Sequence, residues 1–332
     1  MRMKRTRKTK TITTKPADAI LVSDMHLTDS IPVSRIDNYL LAQRSKLQFL
    51  QSLSAQNNNC PILCAGDIFN HWKASPWLCG IAYRHLPRPF IGIPGQHDLP
   101  EHSLKQYERS ALGLLEAVSD EEEFIILRQM GEQIQRKNLR IVGIPFGELR
   151  NFEPDESLKF ALPDLRRILI LHELTWQGKK PSWDKGSRTD IELINEFGNY
   201  FDLILTGDNH EGFVARQKDP LHSPGDCILV NPGSMMRRTA DQADYQPRCY
   251  LYYADENDAV PVYFPIEMNV HTREHIDKEK ERDERIAAYI ERIKKNWEAG
   301  LSFRKNLELF FRENKVPRKI KEIIYNALEK EG

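Results

Sequence analysis

Cysteine is scarce in this sequence, and its pattern argues against two classes of cysteine-rich protein. The chain of 332 residues has five cysteines, an odd number, and none of them forms a CxxC pair. This pattern argues against a disulfide framework and against a zinc ribbon, and it favours a reducing environment. Long apolar runs are lacking too: none approaches the ~20 residues that span a bilayer, and no signal-peptide core follows the basic start. We therefore expect a soluble, cytoplasmic protein.

The sequence also lacks an excess of charge of either sign. Lys and Arg total 48, and Asp and Glu total 48, so the net charge gives no argument for binding nucleic acid. Any such argument must rest on local patches. Seven of the first fifteen residues are Lys or Arg, and residues 1–16 form a basic tail that could contact phosphates. Because short basic termini are more often solvated, we expect this tail to be disordered.

Short apolar runs alternate with polar stretches up to about residue 267, and this alternation predicts an α/β domain over residues 17–268. Several runs are apolar at consecutive positions, which is typical of strands covered on both faces in layered α/β folds. Residues 36–54, 103–118 and 188–197 have patterns compatible with helices between the strands. The nine runs are AILVSD, PILCAGD, PFIGIPGQHD, LRIVGIPF, RILILHE, FDLILTGD, DCILVNPGS, RCYLYYAD and VPVYFPIE.

The composition changes near residue 270 to charged, helix-forming residues, and residues 269–332 are predicted to form a helical tail of three amphipathic helices. Their apolar positions are Ile286, Ile290, Ile293 and Trp297 in the first, Leu307, Phe310 and Phe311 after a candidate N-cap at Ser302 in the second, and Ile320, Ile323, Ile324, Ala327 and Leu328 in the third, which opens with Pro317. These apolar faces either pack on each other or on the core, or they dock a partner protein. The sequence leaves both interpretations open.

Metal-ligand residue types follow the predicted strands. The groups are Asp24 and His26, Asp67, Gln96 to Asp98, His172 and Glu173, and Asp208 and His210, with a turn at Asn231–Ser234. Each group alone is weak evidence, because an Asp after a strand is commonly a turn former or an N-cap, and a lone His is often a buried core residue. Their repetition at strand ends, where loops of α/β folds converge, favours one shared site. Gly66, Gly95 and Gly207 precede three of the groups, and glycine permits positive φ and close backbone approach to an ion.

These elements resemble the calcineurin-like metallophosphoesterases, whose usual pattern is DxH, GD, GNH(D/E), H and GHxH. All five elements occur in that order between residues 19 and 234. The resemblance implies a two-sheet αββα sandwich, in which helices flank two internal sheets and two divalent metals bind at the edge. Two such ions promote in-line attack of hydroxide on phosphorus and stabilise the charge that develops on the phosphoryl oxygens.

The resemblance also assigns a role to each candidate residue. The first metal would bind Asp24, His26 and His210, the second would bind Gln96, His172 and Asp208, and Asp67 would bridge the two. His97 would protonate the leaving oxygen or stabilise the transition state. Asp98 follows His97 directly in the chain and is therefore the candidate to orient its imidazole, by analogy with carboxylates that orient catalytic groups elsewhere.

Two predicted ligands of the second metal depart from the family pattern. Gln96 stands in place of Asn, and Asp208 stands in place of the first His of GHxH. We hypothesise that the longer amide and the shorter carboxylate compensate for each other. Because the resulting site is harder and one charge more negative, it favours manganese, or else magnesium, over zinc or iron.

Further segments resemble the bacterial SbcD nucleases and related phage recombination nucleases, which are partners of coiled-coil ATPases of the SbcC type. The segments are GDIFN (66–70), GQHDLP (95–100) and VNPGSMMRRTADQADYQPR (230–248). This resemblance implies a DNA exo- or endonuclease of repair or recombination that binds such an ATPase through its helical tail. It also suggests a homodimer.

Two features keep other functions open. Nucleases that process double-strand breaks often have a His three residues after the bridging Asp, whereas this chain has Asn70 there, followed by His71. There is also little room for a cap domain that would contact DNA. The alternatives are a phosphodiesterase of small nucleotides or of another non-DNA phosphodiester, and a catalytically weak structural subunit of an ATPase complex. Arg237 and Arg238 could hold phosphates beside the metals or form surface salt bridges.

Overall fold

The structure is a computed structural model, and it describes most of the chain. The described residues are 15–159, 164–216, 227–266, 268–295 and 303–329, of which 291–295 and 329 are described by their backbone alone. Residues 1–14 of the predicted basic tail, the candidate N-cap Ser302, Trp297 and the side chain of Ile293 lie outside this description. The chain divides into two compact units between His271 and Thr272.

Fourteen β-strands form within the described residues. They are β1 (Ala19–Val22), β2 (Ile62–Cys64), β3 (Phe90–Gly92), β4 (Phe124–Ile126), β5 (Glu132–Arg136), β6 (Leu139–Ile144), β7 (Arg166–Leu171), β8 (Thr175–Trp176), β9 (Arg188–Thr189), β10 (Leu203–Thr206), β11 (Phe213–Arg216), β12 (Ile228–Asn231), β13 (Arg248–Tyr253) and β14 (Asp258–Tyr263). The nine runs expected from the sequence are all strands.

The strands form two mixed sheets of six, and β8 and β9 pair separately. The first sheet has the order β14-β13-β1-β2-β3-β4, and the second has the order β11-β12-β10-β7-β6-β5. Strands β1 to β4 are parallel to one another, as are β12, β10, β7 and β6, whereas β13, β14, β11 and β5 are antiparallel to their neighbours. The parallel strands of each sheet therefore all end at the same edge of that sheet, and the loops that follow them can meet there.

Helices cover the outer face of each sheet. These helices are α1 (Tyr39–Gln56), α2 (Pro76–His85), α3 (Ala111–Val118) and α4 (Asp190–Phe197). The second unit contains α5 (Glu274–Lys295), α6 (Phe303–Glu313) and α7 (Arg318–Glu329). Along β1, Ile20 and Val22 pack with residues of α1, α2 and α3, whereas Leu21 lies in the cluster between the two sheets. Residues of α4 pack on the other face of the second sheet. These layers confirm the predicted αββα sandwich, and they explain why the strands are apolar at consecutive positions.

The predicted helices of the first unit are confirmed with shifted bounds. The helix expected over 36–54 begins at Tyr39, because the Asn38 side chain accepts a hydrogen bond from the Leu41 amide at 3.1 Å and caps it. The helix expected over 103–118 is a 3₁₀ segment followed by α3, and Ser110 caps α3. The helix expected over 188–197 loses its first two residues to β9.

The three predicted tail helices are confirmed as α5, α6 and α7, and they pack on each other. The shared apolar cluster consists of Leu307, Phe310, Phe311 and Val316, with Tyr289, Ile324, Tyr325 and Leu328 packed against it. Pro317 precedes α7, and its carbonyl accepts hydrogen bonds from the amides of Ile320 and Lys321. For the residues in this cluster, the structure supports the interpretation that the apolar faces of the tail helices pack on each other. Among the described residues, no helix has both the length and the apolar content required to cross a membrane.

Candidate metal centre

The candidate ligands all follow parallel strands, as the sequence predicted. Asp24 and His26 follow β1, Asp67 follows β2, Gln96 and His97 follow β3, His172 follows β7, and Asp208 and His210 follow β10. The three strands of the first sheet are adjacent, and so are β7 and β10 of the second. Both sheets thus bring their ligand-bearing loops to one edge of the sandwich.

The backbone is strained at four of these residues. Asp24, His26, Asp67 and Asp208 have φ values of 48°, 46°, 52° and 70°, in the left-handed region that L-residues rarely adopt. Each such residue costs about 1–3 kcal/mol and persists only where its surroundings enforce it. The strained backbone at these four candidate ligands therefore lowers the stability of the fold, and the surrounding contacts must offset this loss.

Two glycines allow the loops to approach this closely. Gly66 has a φ of 91°, as the sequence suggested for a glycine before a ligand. Gly95 does not need a positive φ, since its φ is −90°, but a Cβ there would lie 2.2 Å from Oδ1 of Asp67. Glycine at 95 is thus required by close contact with the predicted bridging carboxylate.

Asp24, His26 and His210 form the first group that could hold an ion. The Nε2 atoms of His26 and His210 are 3.1 Å apart, and they lie 3.8 and 3.9 Å from Oδ1 of Asp24. Two nitrogens bound at right angles to one ion, each about 2.1 Å from it, would be about 3 Å apart. The spacing fits the set of side chains predicted for the first metal.

Asp67 lies at the centre of the site. Its Oδ2 atom is 3.5 Å from Nε2 of His172, 3.7 Å from Nε2 of His26 and 3.9 Å from Nε2 of His97. These distances exceed hydrogen-bond length, and Asp67 Oδ2 and His172 Nε2 are buried atoms without a hydrogen-bond partner among the described residues. Buried polar atoms rarely lack partners, so a cation between them would satisfy both. Their position fits the bridging role expected for Asp67.

A backbone contact sets the direction in which His172 faces. Its Nδ1 atom lies 2.6 Å from the carbonyl oxygen of Ala65 in the loop after β2. An Nδ1–H that donates to a carbonyl leaves the lone pair on Nε2, and metal-binding histidines commonly have such a partner. The imidazole is therefore oriented as a ligand toward Asp67.

The titration of the cluster agrees with a cation site. Burial raises the pKa of Asp24 to about 8, and the neighbouring Asp67 charge adds to this effect. Although burial opposes both shifts, the mutual attraction of Asp67 and His172 holds the pKa of Asp67 below its ordinary value and that of His172 well above. Burial lowers the pKa of His26 and of His210. The buried carboxylates thus need positive charge close by. Without metal the protonated His172 supplies it, and a divalent ion would supply it on displacing the proton from Nε2.

Gln96 and Asp208 contact each other. Nε2 of Gln96 donates a hydrogen bond of 2.7 Å to Oδ1 of Asp208, so the amide oxygen of Gln96 remains the atom available to a cation. The backbone amide of Asp208 lies 3.2 Å from both carboxylate oxygens of Asp24. The two residues that depart from the family pattern are therefore direct neighbours. Their assignment as ligands of the second metal stays a prediction.

The expected orientation of His97 by Asp98 is corrected. Nδ1 of His97 lies 3.0 Å from the backbone carbonyl oxygen of Asn70. The buried carboxylate of Asp98 instead accepts hydrogen bonds from the amides of Ile68, Phe69 and Gly95 at 3.2, 2.8 and 3.0 Å. Asp98 thus joins the loop after β2 to the loop after β3, because its side chain faces the backbone and not the imidazole.

The sequence left the roles of Arg237, Arg238 and His71 open, and the structure places these three residues in different surroundings. Arg237 is buried, and its Nη1 donates to the carbonyl of Ala243, which favours a structural role. The positive charge of Arg238 contributes to lowering the pKa of both His26 and His210, so its guanidinium lies near enough to act on the first group electrostatically. His71 is exposed and stacks on Trp72, as expected of a solvent-facing residue.

One supporting residue was not assigned a role from the sequence. Asn231, at the end of β12, donates from Nδ2 to the carbonyls of Asn209 and Glu211 at 2.9 and 3.2 Å. These two residues flank His210, so Asn231 holds the loop that carries it. The Asn at the start of the Asn-Pro-Gly-Ser turn was the only signal in the sequence for this role.

The donor atoms of Asp24, His26 and His210 lie close enough together to hold one divalent ion, and those of Asp24, Asp67 and His172 form a second such group. Asp24, His26 and His210 would hold one, Asp67 would bridge, and His172 with Gln96 and Asp208 would hold the other. When bound, such ions supply Lewis acidity that stabilises charge on phosphoryl oxygens and activates water. The fold and the site together define a metal-dependent hydrolase of phosphoesters.

Comparison with known families agrees with this class. Residues 19–212 match the calcineurin-like phosphoesterase family, which is more than half of the chain. The chain belongs to this family. Comparison with curated proteins found no match.

Two solved structures are similar at low sequence identity. One is described as a novel archaeal phosphodiesterase, with 11% identity, a TM-score of 0.39, and coverage of 74% of this chain and 99% of that one. The other is a metallophosphoesterase from Sphaerobacter thermophilus, with 12% identity, a TM-score of 0.35, and coverage of 75% of this chain and 89% of that one.

Proposed function

We propose that this chain is a manganese-dependent DNA phosphodiesterase, an exo- or endonuclease of the SbcD type that acts in repair or recombination with a coiled-coil ATPase. The observation that carries the proposal is the open face of the metal centre. The side chains of His97 and His210 are 41% and 43% exposed, whereas Asp24 and Asp67 behind them are buried. A phosphodiester that continues as a chain on both sides can lie across such a face.

Arg238 supports a polymeric phosphate substrate. It is half-buried beside the first group, and its Nε is buried without a hydrogen-bond partner among the described residues. The hydroxyl of Ser34 donates a hydrogen bond to the backbone carbonyl of Arg238, which fixes the backbone that carries this guanidinium. A cation held beside the metal centre would contact a phosphate of the DNA backbone.

His97 would supply the proton for the leaving oxygen. Its Nδ1 is directed to the Asn70 carbonyl, so Nε2 faces the centre, 3.9 Å from Oδ2 of Asp67. An imidazole in this position can donate a proton to an alkoxide that leaves on the open side. The preference for manganese rests on the oxygen atoms that Gln96 and Asp208 would contribute.

The C-terminal unit would bind the ATPase. Beyond its own apolar cluster it exposes Ile286, Ile290, Ile320 and Ile323, with Ile323 61% exposed. Apolar positions on amphipathic helices are the usual anchors for a groove or a coiled coil of a partner. Ile290→Glu with Ile323→Glu should abolish co-purification of a co-expressed coiled-coil ATPase. Ile191→Glu, at an equally exposed position of α4, should not.

The activity can be tested on three substrates with manganese: linear duplex DNA, single-stranded DNA and bis-p-nitrophenyl phosphate. We expect cleavage of DNA as well as of the small ester. Hydrolysis of the small ester without DNA cleavage, even with the ATPase, would establish a non-DNA phosphodiesterase instead. No hydrolysis of any substrate, with one ion or none bound per chain, would indicate a structural subunit.

A further inference from the structure

The loop between β7 and α4 carries aromatic and basic residues that the metal centre does not use. This loop, residues 173–189, is named here the tryptophan loop, and it contains the short strands β8 and β9. Trp183 is 72% exposed, the most exposed tryptophan of the described residues. Its ring meets that of Trp176 edge-on, with centroids 6.0 Å apart.

The tryptophan loop is held in a defined conformation. The carboxylate of Asp184 accepts hydrogen bonds from Nε1 of Trp176 at 2.6 Å and from the amides of Gly186 and Ser187, each at 3.1 Å. Lys180 donates from Nζ to the carbonyl of Ser187 at 2.9 Å. Asp184 is adjacent to Trp183 in the chain, so this network fixes the backbone that presents the exposed indole. A ligand would find it already ordered, which reduces the entropic cost of binding.

The base of the loop is attached to the metal centre. Glu173 directly follows His172, and Nδ2 of Asn209, which lies between Asp208 and His210, donates 2.7 Å to the carbonyl of Thr175. Thr175 is followed by Trp176, on which Trp183 packs. The segment that carries the exposed indole is therefore joined to two loops that bear candidate ligands. It continues the chain from His172, and it accepts the hydrogen bond from Asn209.

The charges beside Trp183 favour a polyanion over an apolar partner. Lys180 and Arg188 pair with Glu192 and Glu196 of α4, whereas Lys179 and Lys185 are exposed on either side of Trp183 in the chain. An exposed aromatic ring flanked by lysines is the combination that binds single-stranded nucleic acid, where bases stack on the ring and phosphates contact the cations. A duplex does not offer an unstacked base.

From these features we propose that the tryptophan loop binds single-stranded DNA: Trp183 stacks against an unpaired base, and Lys179 and Lys185 contact the phosphates of the strand that enters the metal centre. The inference rests on the proposed nuclease function and names the structural form of its substrate. It also predicts that hydrolysis of the small ester, which is not a nucleic acid strand and has no unpaired base to stack on the indole, is independent of Trp183.

The test compares Trp183→Ala, Trp183→Phe and the control Tyr263→Ala, which removes an exposed aromatic ring from β14. Binding of a fluorescent oligothymidylate is measured by anisotropy with calcium in place of manganese, and hydrolysis of bis-p-nitrophenyl phosphate is measured with manganese. Trp183→Ala should weaken binding about 5- to 160-fold, as loss of one stacked base implies. Trp183→Phe should retain most of the affinity, and small-ester hydrolysis should be unchanged in all three.

The lysines are tested through salt dependence. Lys179→Gln with Lys185→Gln should reduce the slope of log K against log salt by about 1.4, since each single-strand phosphate contact contributes about 0.7. An unchanged slope would contradict the assigned contacts.

The outcomes separate the loop from the proposed function. If wild-type protein cleaves single-stranded DNA but Trp183→Ala binds it equally well, the loop proposal is wrong and the nuclease remains. If the wild type binds the strand through Trp183 but never cleaves it, the nuclease is wrong and the loop remains. Loss of ATPase binding in Trp183→Ala, with DNA binding intact, would make the loop a protein-docking site and overturn the proposal.

Discussion

Asp98→Asn should destabilise the protein and disturb the metal centre through the backbone. Oδ2 of Asp98 accepts the amides of Ile68 and Gly95, and Oδ1 accepts that of Phe69. Asparagine can keep two of these bonds with its carbonyl oxygen, but its NH₂ group then faces the amide of Phe69. One buried N–H without a partner costs about 1–3 kcal/mol. For a domain of this size each kcal/mol lowers Tm by about 2–4 °C, so we expect a decrease of about 2–12 °C.

The same substitution distinguishes two roles for Asp98. If Asp98 joins the loops that carry Asp67 and Gln96, Asp98→Asn should weaken manganese binding and slow ester hydrolysis even when His97 is already alanine. If it acts by orienting His97, it should have no further effect in His97→Ala. The measurements are thermal unfolding, calorimetric titration with manganese and a double-mutant cycle in kcat, with the exposed Asp120→Asn as control. An unchanged Tm, together with an activity loss that vanishes in the His97→Ala background, would refute the loop-joining role.

Three further predictions concern burial, close contact and ligand identity. Burial, together with neighbouring arginine charges, lowers the pKa of Lys46 to about 7. Because an unfolded lysine titrates near pH ~10.4, the folded protein loses stability as pH falls from about 10 to about 7, so the stability of wild type relative to Lys46→Met should fall by about 1–4 kcal/mol over that range in denaturant titrations. Loss of the hydrogen bond from Nζ of Lys46 to the carbonyl of Met235 should destabilise the variant equally at both pH values. Gly95→Ala would put a Cβ 2.2 Å from a carboxylate oxygen and should abolish manganese binding in calorimetry, whereas Gly80→Ala, with no atom within 4 Å, should not. Gln96→Asn with Asp208→His should shift bound metal from manganese toward zinc in elemental analysis, and unchanged occupancy and rate would contradict the compensation hypothesis.

Most strands of the two six-stranded sheets could be predicted because burial controls their composition, although the buried β4 (Phe124–Ile126) and the edge strand β11 (Phe213–Arg216) were not. The nine apolar runs are strands because the sandwich covers both faces of each central strand. By contrast, β5 (Glu132–Arg136) was not predicted, since it is an edge strand with the sequence EQIQR and carries polar residues on its exposed face. Strands β8 and β9 have two residues each, which is too short for any periodicity. No residue of β5 is buried, so the apolar composition that is typical of a covered strand is absent from it.

The candidate ligands were predictable as a set because the carboxyl ends of parallel strands meet at one edge of a sheet. Their backbone partners were not. His97 faces the carbonyl of Asn70 and His172 faces that of Ala65, and every residue has a carbonyl, so no side chain marks these partners. Likewise, Arg237 and Arg238 are adjacent residues of the same type, so the sequence cannot distinguish them. Only the fold determines which of the two acts on the metal centre.

The central claim is that this chain holds two divalent ions bridged by Asp67, and metal content measures it most directly. Purified protein dialysed against limiting manganese should contain two ions per chain by elemental analysis, and Asp67→Asn should contain fewer than one, because the substitution removes the anionic oxygen that is central to both groups. Asp120→Asn should retain two. A wild-type protein that binds no ion, or an Asp67→Asn variant that retains two, would contradict the claim.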